Sequence, residues 1–381
     1  MSADLSFQRA IEFARDLIRI PSPPGGEGDV AERVAGELER LRFDDVWTDA
    51  VGNVLGRVKG RGEASPVMLS CHLDVVDPGD PLGWEHLPYS GDLEGGFLHG
   101  RGAMDIKGPL ALQTYAAAHF VAERPAGDVL VGHTVLEERG GLGMAHLMEA
   151  GEVKPGAVLI GESTAGDVCI GHRGRAEIEV EIRGLAGHAS APERARSALD
   201  PLGDVLAALR GLNGTLESDP VLGRSSLVAT DVSATPASRN VIPDRAVVVV
   251  DWRVLPALSA EDAVERVRGA LAERVELPEG LTLEVRFATE RQRTWTGQEH
   301  ERRLFTPGFL LPPEHPVPQA AARVLRQHTG VAPSIRPWTF ATDGGHTCGV
   351  HGIPTIGLAP GEERYAHTNR ERLELRSAEA L

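Results

Sequence analysis

Cysteine, lysine and long apolar runs are what this 381-residue chain has least of. Its three cysteines, Cys71, Cys169 and Cys348, are odd in number and far apart, with no Cys-x-x-Cys spacing. That argues against a disulfide framework and against a thiolate zinc site, and points to a reducing, cytoplasmic compartment. Nowhere do 18 apolar residues run together, so no membrane span is expected. Ser6 to Ile20 mixes Arg9, Glu12, Arg15, Asp16 and Arg19 with apolar residues at helical spacing, unlike a signal peptide. Positive charge is also short. The 39 basic residues face 55 acidic ones, and the net charge of -16 argues against nucleic acid or an anionic membrane as partner. Only Lys59, Lys107 and Lys154 are lysines, a bias of composition rather than of mechanism. No internal repeat or low-complexity segment is present. With 41% apolar residues the chain is long enough for two cored domains.

The first 60 residues predict a helix from Ser6 to Ile20, a breaker at Pro21 to Gly26, a helix from Asp29 to Leu41, and a hairpin over Val46 to Val58 around Gly52-Asn53. A buried strand from Pro66 to Ser70 then delivers His72 and Asp74. Residues two apart on an extended chain share a face, so Asp74 can reach the ring N–H of His72 and leave the other nitrogen free for a metal. A surface His-x-Asp hydrogen bond is the plainer reading of that pair alone. Gly100-Arg101-Gly102 has Asp105 where a dinucleotide loop needs its third glycine, so that reading fails; Asp105 instead precedes a helix over Ile106 to Glu123.

Strands over Val129 to Val135 and Ala157 to Ile160 lead into Glu137-Glu138 and Glu162. Adjacent acids such as Glu137 and Glu138 could equally open an exposed helix, but both follow an apolar strand. From Gly174 to Thr289 the pattern becomes strand, helix, strand, strand, helix, strand, a ferredoxin-like βαββαβ sandwich. Acid-bearing strand ends precede it and a candidate ligand, His367, follows it. The sandwich, 174–289, is therefore read as inserted into a larger α/β domain with a mixed sheet flanked by helices, made of 1–173 and 290–381.

Two imidazoles, His72 and His367, and the carboxylates of Asp105, Glu137, Glu138 and Glu162 suit a pair of borderline divalent ions, most simply zinc, with one carboxylate bridging. If five of the six groups are ligands, the remaining acid is free to take a proton from a water shared by the ions.

These residues carry a resemblance to the co-catalytic zinc peptidases and acylases that include acetylornithine deacetylase, succinyl-diaminopimelate desuccinylase, aminoacylase and glutamate carboxypeptidase. The matching blocks are Ser70 to Val76, Gly100 to Gly108, Glu137-Glu138, Gly161-Glu162-Ser163, Gly187-His188-Ala189-Ser190, Asn240-Val241-Ile242-Pro243 and Ala366-His367, in the family's order over essentially the whole chain. Within that family the chain is most similar to the selenium-metabolism-linked hydrolases, through His172 to Glu177, Glu314-His315-Pro316, Trp338-Thr339-Phe340 and Ile353 to Gly357.

The resemblance implies that His72, Asp105 and Glu162 hold one zinc and Asp105, Glu138 and His367 the other, with cobalt or manganese able to stand in. It implies Glu137 as general base, Asp74 as the partner of His72, and the inserted sandwich as lid and dimerisation domain of a homodimer. It implies His188 as a donor to the tetrahedral oxyanion, often from the partner subunit, and Asn240, Arg253 and Gly344 as substrate-side positions. Many members place an arginine shortly after the Thr-Asp pair to grip a substrate carboxylate, where this chain has Gly344 and Gly345, so Arg253 or Arg336 would have to substitute. The expected activity is cleavage of an amide in an N-acyl amino acid, as a deacetylase or desuccinylase does. The alternatives are a dipeptidase or carboxypeptidase with the same site, or a non-catalytic scaffold that kept the fold.

Overall fold

The computed structural model describes residues 3–381, which separate into two compact units. Of the described residues the larger comprises 3–172, 292–300 and 310–381, the smaller 173–291 and 301–309.

The larger unit is built on an eight-stranded mixed sheet. Its strands are β1 (Asp45–Thr48), β2 (Val54–Val58), β3 (Val67–His72), β4 (Val129–Thr134), β5 (Ala157–Ile160), β6 (Val168–Cys169), β7 (Ile335–Arg336) and β8 (Thr355–Gly357), in the order β1-β2-β4-β3-β5-β8-β6-β7. The β1–β2 hairpin turns where Gly52 has φ +105°, and a Cβ there would strike the Trp295 indole. The centre, β4-β3-β5-β8, is parallel, and its strands are largely apolar, without a polar face, because both faces are covered. Helices α1 (Ala3–Ile18), α2 (Gly28–Arg40) and α3 (Lys107–Ala118) bury Leu17, Val34, Leu38 and Leu110 in one core with Val54, Val58 and Val131 of the sheet.

Parallel pairing sets where the connecting loops leave the sheet. Register places His72 beside Thr134 and Ser70 beside Ile160, so β3, β4 and β5 end together and their outgoing loops emerge side by side. The carboxyl edge of a parallel sheet is where α/β folds gather their chemistry.

The smaller unit has strands 174–183, 226–235, 245–254 and 282–287 and helices 202–215 and 260–274, the βαββαβ order. Across its antiparallel sheet the strands run 226–235, 245–254, 174–183, 282–287. Ile178, Val180, Val248, Val250 and Trp252 bury their side chains against Val205, Leu209, Val267 and Leu271 of the two helices. Residues 301–309 also pack in this unit, because Phe305 and Thr306 form a short strand beside Ala176 and Arg175. Two residues carry no periodicity, so nothing in the sequence marks that strand. Residues 292–300 stay with the larger unit, where Trp295 donates to the Gly52 carbonyl at 3.1 Å.

Candidate metal centre

His72 is the last residue of β3 and is 2% exposed. Its Nδ1 lies 2.8 Å from the backbone carbonyl of Asp74 and 3.5 Å from that residue's carboxylate. The carbonyl, rather than the carboxylate, is thus the nearer acceptor for the ring N–H. The Asp74 carboxylate works elsewhere: Oδ1 accepts the backbone N–H of Glu137 and Oδ2 that of Glu138, each at 3.1 Å. One buried aspartate therefore orients the imidazole and fixes the acidic turn after β4.

The other ring nitrogen, His72 Nε2, lies 3.3 Å from Asp105 Oδ1 and 3.2 Å from Glu162 Oε1. Asp105 Oδ2 lies 3.2 Å from His367 Nε2, which lies 3.0 Å from Glu138 Oε1. The carboxylate of Asp105 thus stands between two imidazoles, one oxygen to each. Donor atoms of His72, Glu137 and Glu162, and of His72, Asp105 and Glu138, also fall within 4.8 Å of one another.

Charge in this volume is unbalanced. Burial pushes the Glu162 carboxyl up to about 7, with Asp105 adding to the shift. Burial, together with Asp343, Glu162 and Glu138, holds Glu137 well above the usual carboxylate range, and Glu138 is raised by burial and Asp105. Asp105 is held low, the two imidazoles outweighing the burial that would raise it. Hydrogen bonds to Asp105 and Glu138 push His367 up to about 10.

A divalent cation fits this donor set. Ligands at zinc's bond lengths of roughly 2.0–2.2 Å stand about 3.3–3.6 Å apart around a tetrahedron, close to the spacings at His72 and His367. Asp105 Oδ1 is buried without a hydrogen-bond partner, and hard or borderline cations are what clustered carboxylates and imidazoles bind.

A profile of peptidase family M20/M25/M40 matches residues 68–381. The chain belongs to that family. It is 32% identical over 364 residues to the uncharacterized protein YgeY of Escherichia coli K12, covering 94% of this chain and 88% of that one. It is 31% identical over 335 residues to a succinyl-diaminopimelate desuccinylase of Paracoccus denitrificans, covering 84% and 82%. Among solved structures it superposes on the YXEP protein of Bacillus subtilis, a dinuclear metal binding peptidase of family M20, with TM-score 0.67 and 16% identity over 99% and 96% of the two chains. M20 enzymes are metal-dependent hydrolases, and this chain shares their mixed α/β fold.

The substrate-side candidates are divided between the two units. His188 and Asn240 sit in the smaller unit, where Gly187–His188 pairs with Val241–Ile242. His188 is exposed, with Nδ1 accepting the Ser190 N–H at 3.1 Å. Arg253 is committed to Asp251 at 2.8 Å, and Arg336 to Asp167 at 2.8 Å and Glu363 at 2.9 Å. Gly344 is buried, its N–H donated to Thr342 Oγ1 at 3.1 Å.

Several groups around the centre carry no motif. Asp343 is buried and takes the Thr134 hydroxyl at 2.8 Å; burial raises its carboxyl to about 6. Gly141, φ +73°, passes so close to Asp343 and His346 that a Cβ would lie 2.8 Å from each. Glu27, immediately before α2, accepts the N–H of Leu136 at 3.2 Å and steadies the acidic turn from its other side. Thr-Asp preceding a glycine pair was the available signal for Asp343; Glu27 offered none.

Proposed function

We propose that this M20 hydrolase holds two zinc ions and cleaves the amide of an N-acyl amino acid, in the manner of a desuccinylase or deacetylase. The observation that carries the reading is the Asp105 carboxylate between His72 and His367, with Glu137 beside it.

His72, Asp105 and Glu162 would hold one ion and Asp105, Glu138 and His367 the other. Bound there, the ions would supply Lewis acidity, to the attacking water and to the amide carbonyl. Everything else falls to side chains. His72 donates its Nδ1 proton to the Asp74 carbonyl, which keeps Nε2 as the donor atom. Asp74 clamps the backbone of Glu137 and Glu138, so the base and its neighbour ligand share one anchor. Glu137 takes the proton of the attacking water on a carboxylate oxygen and passes it to the leaving amine. His188, flanked by Gly187 and Ala189, is the proposed donor to the tetrahedral oxyanion, and Asn240 the proposed substrate contact beside it. With Arg253 and Arg336 both paired, neither is an open grip for a substrate carboxylate; Gly344 and its loop would shape that end of the pocket. Three free cysteines and the absence, among the described residues, of a helix able to cross a membrane support a cytoplasmic enzyme of small-molecule metabolism.

Similarity to a succinyl-diaminopimelate desuccinylase supports the acyl amino acid reading over the peptide one. The deciding test is hydrolysis of N-acetyl, N-succinyl and N-formyl amino acids and simple dipeptides by zinc- and cobalt-loaded protein, with Glu137→Gln as control. Activity on one acyl class that disappears in the control is expected. Activity on dipeptides alone would make the protein a peptidase, and silence with two ions bound would point either to an unusual amide or to the non-catalytic reading.

A further inference from the structure

Glu371 takes no part in the proposed chemistry, yet it holds the backbone of Asp105 and lies four residues after His367. It is 2% exposed. Its Oε1 accepts two backbone N–H groups, from Met104 at 3.2 Å and from Asp105 at 3.1 Å. Its Oε2 accepts Arg101 Nη1 at 2.5 Å, and its main-chain carbonyl accepts the Gly100 N–H at 3.4 Å. Immediately afterwards Arg372, Leu373 and Glu374 pair antiparallel with His99, Leu98 and Phe97, which fixes the register of the two segments. His367 lies four residues before Glu371, and Asp105 is the residue whose N–H Glu371 holds.

A carboxylate whose only task was to neutralise buried Arg101 would need no more than that guanidinium. Here one oxygen is committed to the backbone of the residue that stands between the imidazoles. We infer that Glu371 is a positioning residue: its two oxygens lock the Asp105 loop to the His367 segment and so set the distance between Asp105 Oδ2 and His367 Nε2. The inference rests on the dinuclear reading of the site.

The acceptor role can be separated from the charge pair by removing the pair in two ways. In R101M/E371Q no charge is left unpaired and an amide oxygen still faces the two N–H groups; in R101M/E371M no charge is left unpaired and no acceptor remains. Cobalt binding is followed by stoichiometry and affinity, well below each variant's melting midpoint measured without metal. R101M/E371Q is expected to bind two ions per chain close to wild-type affinity. R101M/E371M is expected to bind the second ion about 10- to 100-fold more weakly, the usual effect of losing a group that orients a ligand. Glu371→Gln alone gives an independent reading, because one amide oxygen cannot serve Arg101 and the backbone together; weakened cobalt binding is expected there too. Equal affinities in the two double variants, or wild-type affinity in Glu371→Gln, overturn the inference. Wild-type protein that binds no cobalt overturns the dinuclear reading and the inference with it.

Discussion

Asp105 and His367 meet side chain to side chain, Oδ2 to Nε2 at 3.2 Å, although one precedes α3 and the other lies in a loop near the end of the chain. His367 reaches Asp105 and Glu138, whereas Nε2 of His72 reaches Asp105 and Glu162. The two imidazoles therefore serve different ends of one carboxylate.

Removing His367 should empty one position and leave the other. His367→Ala is expected to bind one ion per chain instead of two, by atomic emission after dialysis. Its side chain is 52% exposed, so folding stability should change by no more than about 1 kcal/mol. An unchanged metal count would remove His367 from the site.

Glu137 differs from its neighbour in lacking a hydrogen bond to either imidazole, which leaves its carboxylate available to a proton. Glu137→Gln keeps the shape of the turn, because the Asp74 clamp is made to the backbone. Turnover should fall by roughly 10²- to 10⁴-fold while both ions stay bound. Loss of metal together with activity would make Glu137 a ligand instead of the base.

The clamp itself is tested by Asp74→Asn. An amide has one acceptor oxygen where the carboxylate uses two, so an N–H of Glu137 or Glu138 would face an NH₂ group. The cost should be about 1–3 kcal/mol in unfolding free energy and about 10- to 100-fold in activity. Wild-type activity in this variant would show that the turn holds itself.

Metal removal should make stability strongly pH-dependent. Glu162 is raised to about 7 and His367 to about 10, so in both cases the folded, metal-free protein holds a proton that the unfolded chain has released. The stability from Glu162 is complete below about 4.5 and lost as pH rises through about 7; that from His367 is complete below about 6.5 and lost as pH rises through about 10. Chelator-treated protein should therefore melt at a lower temperature at pH 8 than at pH 5.5, with zinc restoring more of the loss at pH 8. Glu162→Gln should flatten the acidic part of the curve. A metal-free melting temperature that rises over this interval would contradict the assignment.

Legibility in the sequence followed from how local each signal was. β3 and β4 announce themselves as apolar runs, so His72 and Glu137-Glu138 could be placed at strand ends. The position of Asp105 followed from the helix after it. What stayed hidden depends on long-range meeting. Glu27 and Glu371 look like ordinary surface acids in the sequence, and only the folded chain shows them buried against the N–H groups of Leu136 and Asp105. The carbonyl of Asp74, nearer His72 than its carboxylate, is likewise invisible to side-chain patterns, as is the two-residue strand at Phe305.

The smaller unit bears on assembly. Strand 226–235 lies at the edge of its sheet, paired on one side only, and Val228 and Val232 on it are 53% and 44% exposed. An open edge of ten residues is a template for a second strand, and proteins that remain monomers usually blunt such an edge with proline or inward charge. Asp231, at the register shift between Ala229 and Asp231, is the single charged residue in the strand. Two copies meeting at this edge would continue the sheet from one subunit into the next around a twofold axis. Sedimentation equilibrium is expected to give twice the mass of one chain, and Val228→Lys with Val232→Lys to halve it while the melting temperature of the larger unit stays unchanged. A monomeric wild-type mass would contradict the dimer and would leave His188 to act, if at all, within its own chain.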